Sequence, residues 1–326
     1  MKFNAKKETE KIIKFIRDYY ERNNIKGVVL GISGGKDSAV VAALFSKAIG
    51  PENVLGVTLP CHSKKTDTTD AIKVAEKYGF ELINLDLTNV FDAYQEEVYK
   101  LGNFTYQELK NSTINLKPRL RMSSVYYLAA LYSELKGGTY IVAGTSNKCE
   151  LFVGYFTKGG DSTHDIAVIN DFTVEEVIKI GEYLEVPDEV IHKVPSDGLS
   201  NQTDEDKLGV KYKDIAKYIN NEELDEETYR KIDKLHGKAY HKFNIPKYKR
   251  TERQIYKGTL KETIKYIHEN VDYFCKIEEI GKARAFDKIK EELLEKQFLK
   301  EIKESTMINI KVATDLYNIY YYEIEK

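Results

Sequence analysis

Eight consecutive residues, Gly31-Ile32-Ser33-Gly34-Gly35-Lys36-Asp37-Ser38, combine three glycines, two hydroxyls, a cation and a carboxylate. Glycines let the backbone approach phosphate oxygens, successive N–H groups and a helix N-terminus hold an anion, and Ser33 and Ser38 add hydroxyl donors. The pattern departs from the common nucleotide P-loop, which needs G-x-x-x-x-G-K followed by Ser or Thr. Here Asp37 follows Lys36, which puts a carboxylate where the metal-binding hydroxyl would stand. A carboxylate suits Mg2+ beside a pyrophosphate, since Mg2+ takes one or two carboxylates plus phosphate oxygens. Spacing alone also admits a plain Gly/Ser turn with Asp37 as an acid at a helix start.

Such a loop needs a strand to deliver it and a helix to follow it. The apolar, β-branched run 26–32 reads as a buried strand, and Val40, Val41, Leu44, Phe45 and Ala48 then recur at helical spacing until Gly50-Pro51 stops them. Strands over 54–59 and 80–85 alternate with a helix over 66–78. A long helix with an apolar stripe at Met122, Val125, Ala129, Tyr132 and Leu135 leads to a fourth strand over 139–143. A polar loop from Gly144 to Asp165, a short strand over 166–169 and further helices follow. This alternation predicts an α/β fold: a doubly wound parallel sheet of about five strands, with ligands at the carboxyl ends of the strands. Residues 1–250 form one domain in this reading. Residues 251–326, charged and rich in Tyr (Tyr317, Tyr320, Tyr321, Tyr322), form a helical C-terminal extension.

Composition narrows the partners. Lys and Arg number 50 against 52 Asp and Glu, so no net field favours nucleic acid or an anionic membrane. No run approaches the ~18 apolar residues of a membrane span, and the charged first helix does not resemble a signal segment. A soluble, cytoplasmic protein is expected. Cys61, Cys149 and Cys275 stand far apart with no CxxC pair, which argues against a zinc knuckle or a disulfide framework.

The S-G-G-K-D-S segment resembles the S-G-G-x-D-S signature of the ATP pyrophosphatases, which cleave ATP between the α and β phosphates. Later segments narrow the likeness. Arg119-Leu120-Arg121-Met122, Gly144-Thr145-Ser146-Asn147-Lys148-Cys149-Glu150, Gly154 to Asp161, Gln202-Thr203-Asp204-Glu205 and His241-Lys242 occur in the order found in NAD synthetases. The resemblance covers roughly residues 5–250 and implies an adenine nucleotide alpha hydrolase-like fold. It implies that Gly31, Ile32, Ser33, Gly34, Gly35, Lys36, Asp37, Ser38, Thr145 and Ser196 contact ATP, and that Asp37 and Glu150 bind Mg2+. It implies that Arg119, Lys158, Asp165, His241 and Lys242 hold deamido-NAD. Taken singly, Arg119, Lys158 and Glu150 also fit solvated surface charges, His241 a helix-end histidine and Asp165 a turn former.

The implied reaction is ATP-dependent amidation of deamido-NAD by ammonia through an acyl-adenylate, with AMP and pyrophosphate released and no protein nucleophile. A homodimer is implied too. With no glutaminase region ahead of the first helix, nitrogen is expected as free ammonia or from a separate protein. Two positions depart from the family. Val174 stands where a lysine usually faces ATP, leaving that contact to another residue such as Lys36 or Lys179, and Thr58 replaces an arginine before Leu59-Pro60. A paralogue amidating another carboxylate, a tRNA-modifying relative and a nucleotide sensor without turnover remain as alternatives.

Overall fold

The apolar run at 26–32 becomes the middle strand of a parallel sheet in the computed structural model, which describes residues 3–63, 65–193, 203–244, 310–312 and 319–321. The chain runs through α1 (Ala5–Asn23), β1 (Ile25–Gly31), α2 (Lys36–Ile49), β2 (Val54–Thr58), α3 (Lys65–Tyr78) and β3 (Glu81–Asn84). It continues through α4 (Thr88–Tyr99), α5 (Tyr106–Ser112), α6 (Leu116–Lys136), β4 (Thr139–Gly144), α7 (Lys148–Val153) and β5 (Ile166–Ala167). The remaining helices are α8 (Val174–Leu184), α9 (Asp188–Ile191), α10 (Asp204–Leu208), α11 (Tyr212–Ile219) and α12 (Glu226–Phe243). The five strands lie in the order β3-β2-β1-β4-β5. Every pairing is parallel, with Val28 opposite Val54 on one side and Ile141 on the other.

Alternation along β1 divides the core between the two faces of the sheet. Val28 and Leu30 join α1, α2, α3 and α8 in one apolar cluster, while Val29 joins Leu55, Val57 and the α6 residues Val125, Leu128 and Ala129 in the other. α1 is amphipathic, burying Ile12, Ile16 and Tyr20 one turn apart. α2 is buried at nearly every position, as a helix must be when it is covered by helices on one side and a sheet on the other. A third cluster links α7, α8, α11 and α12 through Cys149, Val153, Val174, Tyr212, Ile215 and Ile232.

This topology positions the site. The chain fills the sheet outward from β1 through β2 and β3, then returns to β1's other edge with β4. The loops after β1 and β4 therefore diverge and leave a crevice at their carboxyl ends, the usual ligand position in such sheets.

α4 and α5 occupy a stretch in which the sequence pattern indicates no element. Phe91 is the one residue of α4 that is fully buried, too little to set up an apolar period. The chain divides into two compact units, Met1–Ile245 and Pro246–Lys326. In the second, the described residues are an antiparallel pair, β6 (Ile310–Val312) with β7 (Ile319–Tyr321). At Tyr320 and Tyr321 the backbone is thus extended where a helical cap was expected, in keeping with the strand preference of aromatic and β-branched residues. The expected amphipathic helix over 277–294, and Cys275, lie outside the described residues.

Candidate active site

The Gly31–Ser38 loop leaves β1 and enters α2 at the crevice. Gly34 has φ of +74°, a conformation in which an L side chain is strained. Gly35 caps α2 without any side-chain hydrogen bond, so the helix N-terminus keeps N–H groups for an anion. The hydroxyls of Ser33 and Ser38 lie 3.2 Å apart, and Ser38 also accepts from the Ser33 N–H at 3.2 Å and donates to the Gly35 carbonyl at 3.1 Å. Ser38 therefore braces the loop from inside, while Ser33 is exposed at its surface.

Behind the loop lies a buried charge cluster. The Lys36 ammonium is 3.1 Å from a carboxylate oxygen of Asp37, and the other Asp37 oxygen accepts from the Asn147 side-chain amide at 3.2 Å. Asn147 starts α7, where it forms a reciprocal cap with Glu150: Asn147 accepts from the Glu150 N–H at 3.1 Å, and Glu150 accepts from the Asn147 N–H at 3.2 Å. One amide side chain thus ties the loop after β1 to the loop after β4. Burial pushes the Glu150 carboxyl well above the ordinary carboxylate range, and the neighbouring Asp37 adds to the shift. Burial pulls the Lys36 ammonium down, yet Asp37, Glu150 and then Asp204 outweigh it and hold it above its usual value. Asp204 is 6% exposed and accepts from the Tyr155 hydroxyl at 2.9 Å.

Among the described residues, no group of three or more acidic, histidine or cysteine side chains gathers around one point. Two carboxylates alone make a poor cage for a divalent cation but suit Mg2+ that takes the rest of its shell from phosphate oxygens and water.

Of the residues expected to hold the second substrate, Arg119, Lys158, His241 and Lys242 gather around the segment 154–158. The Arg119 guanidinium on α6 donates to the Lys158 carbonyl through Nε and Nη2, at 3.3 and 3.2 Å. Lys158 Nζ donates to the His241 carbonyl at 2.9 Å. Lys242 Nζ donates to the Gly154 carbonyl at 2.7 Å and to that of Phe156. Asp165 stands apart from this chain of contacts, accepting from the Tyr126 hydroxyl at 3.0 Å and the Val142 N–H at 2.8 Å. Thr145 follows directly on β4, and Ser196 lies outside the described residues.

The two departures have structural counterparts. Val174 is 8% exposed and completes the apolar cluster with Cys149 and Tyr212. Thr58 is buried in the sheet, its hydroxyl donating to the Asn84 side chain at 2.7 Å. Lys179, one candidate to stand in for the missing lysine, lies over the Phe3 ring at 6.0 Å from its centroid. A lysine not singled out from the sequence, Lys193, reaches the loop instead, with Nζ 3.4 Å from the Gly34 carbonyl. Asn147 also went unrecognised, although Asn followed three residues later by Glu is a readable cap signature. Asp204 and Tyr155 lay inside matching segments without an assigned role. Cys61 and Cys149 are buried free thiols, and burial pushes Cys149 up to about 11, leaving it protonated and inert.

A parallel sheet with an anion-binding loop after its first strand, joined by one asparagine to an acidic helix start after its fourth, defines an ATP-binding α/β protein of the S-G-G-x-D-S type. A family model described as NAD synthase matches residues 8–250, and the chain belongs to that family. It is 40% identical to the NH(3)-dependent NAD(+) synthetase of Carboxydothermus hydrogenoformans over 248 residues, 76% of this chain and 98% of the relative. Against the enzyme of the same name from Methanocaldococcus jannaschii it is 42% identical over 207 residues, 63% of this chain and 76% of the relative. Among solved structures, an NMN synthetase from Francisella tularensis superposes with a TM-score of 0.68 at 30% identity, covering 76% of this chain and 99% of that one. The NH3-dependent NAD synthetase of Campylobacter jejuni, solved with a nitrate ion, superposes at 0.60 with 29% identity, covering 76% and 100%.

Proposed function

We propose that residues 1–250 catalyse ATP-dependent amidation of deamido-NAD to NAD with ammonia, a ligase reaction that forms a carbon–nitrogen bond. The observation that carries this reading is the Asn147 bridge, which fixes the Asp37 and Glu150 loops together at the switch point of the sheet. In the proposed first step a carboxylate oxygen of deamido-NAD attacks the α phosphate of ATP, and the bond to pyrophosphate breaks. The Gly31–Ser38 loop and the α2 N-terminus hold the phosphates, joined by Thr145 and Ser196. In the second step ammonia attacks the acyl carbon, loses a proton, and AMP leaves.

Positioning and electrostatics suffice, with no protein nucleophile. Mg2+, held by Asp37 and Glu150, neutralises phosphate charge when bound. Arg119, Lys158, Asp165, His241 and Lys242 bind the dinucleotide, whose pyrophosphate and nicotinate carboxylate call for the cations among them. Nitrogen is supplied as ammonia, in line with the likeness to NH(3)-dependent NAD(+) synthetases.

We further propose a cytoplasmic homodimer. The support is an exposed apolar stripe of Tyr127, Leu131 and Leu135 at helical spacing on α6, a surface that a second copy could cover. The buried unpaired thiols suit a reducing compartment. Among the described residues no helix is long and apolar enough to cross a membrane.

The test is a reaction of purified protein with MgATP, ammonia and deamido-NAD, scored for NAD, AMP and pyrophosphate in equal amounts. Absence of all three products would overturn the reading. The likeness to the Francisella NMN synthetase favours one rival acceptor, the deamidated mononucleotide. A parallel reaction with that acid ranks the two by kcat/KM.

A further inference from the structure

We infer that Lys193 is the lysine that grips the ATP phosphates in this chain, and that Asp70 holds it beside the loop until they arrive. The inference rests on the ATP reading above. The leaving pyrophosphate gains negative charge as the bond to the α phosphate breaks, so the loop calls for a cation that can exchange its resting contacts for that charge. Lys36 lies within the loop but is 5% exposed and turned into Asp37, with Glu150 and Asp204 behind. Its charge is already committed to the Asp37 carboxylate.

Lys193 arrives from elsewhere, two residues beyond α9. Its Nζ is 2.8 Å from an Asp70 carboxylate oxygen on α3 and 3.4 Å from the Gly34 carbonyl. The side chain keeps 31% of its surface exposed, so it is not sealed into the core beside the loop. A carbonyl at 3.4 Å is a weak acceptor compared with a phosphate oxygen, which draws an ammonium to about 2.7–2.9 Å. A compact charge on a flexible four-carbon stem can make that exchange.

Asp70 is equipped to release it. Lys73 also reaches Asp70, at 3.5 Å, and is itself held by Glu189 at 3.0 Å. When Lys193 leaves, the half-buried Asp70 carboxylate therefore keeps a counter-cation. The same side-chain set links α3 and α9 to the loop, so phosphate binding is felt on both helices.

The test compares wild type with Lys193→Ala, Lys193→Met, Lys193→Arg and Asp70→Asn, each checked for an unchanged thermal midpoint. The methionine variant keeps the aliphatic stem should alanine disturb folding. Affinity for α,β-methylene-ATP, which cannot be cleaved at the reacting bond, is measured by calorimetry with Mg2+. Loss of a charge-assisted phosphate contact predicts at least ~10-fold weaker binding in the alanine and methionine variants. Arginine should recover most of it, and Asp70→Asn should bind within about threefold of wild type or more tightly, on the same reasoning. In steady state, KM for ATP rises while KM for deamido-NAD stays within about twofold, as expected for a lost contact to one substrate. Wild-type affinity in both the alanine and methionine variants would overturn the assignment. So would a loss in Asp70→Asn as large as in Lys193→Ala, or equal rises in both KM values. A wild type that binds the analogue but forms no NAD removes the proposed acceptor and leaves the Lys193 comparison intact.

Discussion

The two ends of the proposed site are built on opposite plans. At the phosphate end, Lys36, Asp37, Asn147, Glu150 and Asp204 form a cluster in which Lys36, Asn147 and Asp204 are buried. At the dinucleotide end, Arg119, Lys158 and His241 are exposed, and their contacts run to backbone carbonyls. Burial makes the first end rigid and electrostatically strong, because charges out of water interact through a lower dielectric. The second end is a set of long cations resting on neutral acceptors, which a phosphate or carboxylate displaces readily. In the proposed reaction, the end where charge develops is preorganised and the end that only binds is adaptable.

The largest effect that tests this contrast is Asp37→Asn. Pyrophosphate release should fall by about 10²–10³-fold or more, the scale for removing a preorganised electrostatic group. Breaking the Lys36 pair should also cost roughly 3 kcal/mol in urea unfolding, because a buried ammonium loses its partner. Activity above a tenth of wild type would mean the cluster is structural only.

Glu150→Gln separates the two roles of that end. Turnover should drop by about 10²-fold, yet the metal-free protein should unfold about 1 kcal/mol harder. The fold opposes the Glu150 charge, and the neutral amide removes that opposition. Mg2+ with an ATP analogue should raise the thermal midpoint of wild type and leave Glu150→Gln nearly unmoved. A midpoint that rises equally in both would exclude Glu150 as a metal ligand.

At the other end, Arg119→Ala and Lys158→Ala should each raise KM for deamido-NAD by about 10-fold, with stability within about 0.5 kcal/mol of wild type. A comparable rise in KM for ATP would break the division into two ends.

The smallest expected change is at the seam. Asn147→Ala should cost about 1 kcal/mol through the lost helix cap and a few-fold in kcat, as Asp37 loses its anchor.

The same contrast governs how much was readable beforehand. β1, β2 and β4 were legible because Val, Ile and Leu runs between turn residues mark strands covered on both faces, whereas β3 is a half-exposed edge strand marked by its flanking turns alone. The phosphate loop was legible because its residues are contiguous. α4 was not, since Phe91 alone anchors it and a single apolar position sets no period. The Asn147–Asp37 bridge joins residues 110 apart in sequence, and Lys193 meets Gly34 across 159. Local spacing carries no trace of either. The dinucleotide end was legible only through its resemblance to relatives, because Arg119, Lys158 and His241 taken singly resemble any solvated charge. Val174 shows the limit from the other side: a family departure noted as a missing cation is, in the fold, a core residue beside Cys149 and Tyr212.

The central claim is that the two ends bring an acid carboxylate and the α phosphate of ATP together. Deamido-NAD labelled with 18O in its nicotinate carboxylate tests it directly. After one turnover with ammonia and MgATP, mass spectrometry should find one labelled oxygen in AMP and none in pyrophosphate. Label in pyrophosphate or orthophosphate, or AMP free of label, would contradict the account.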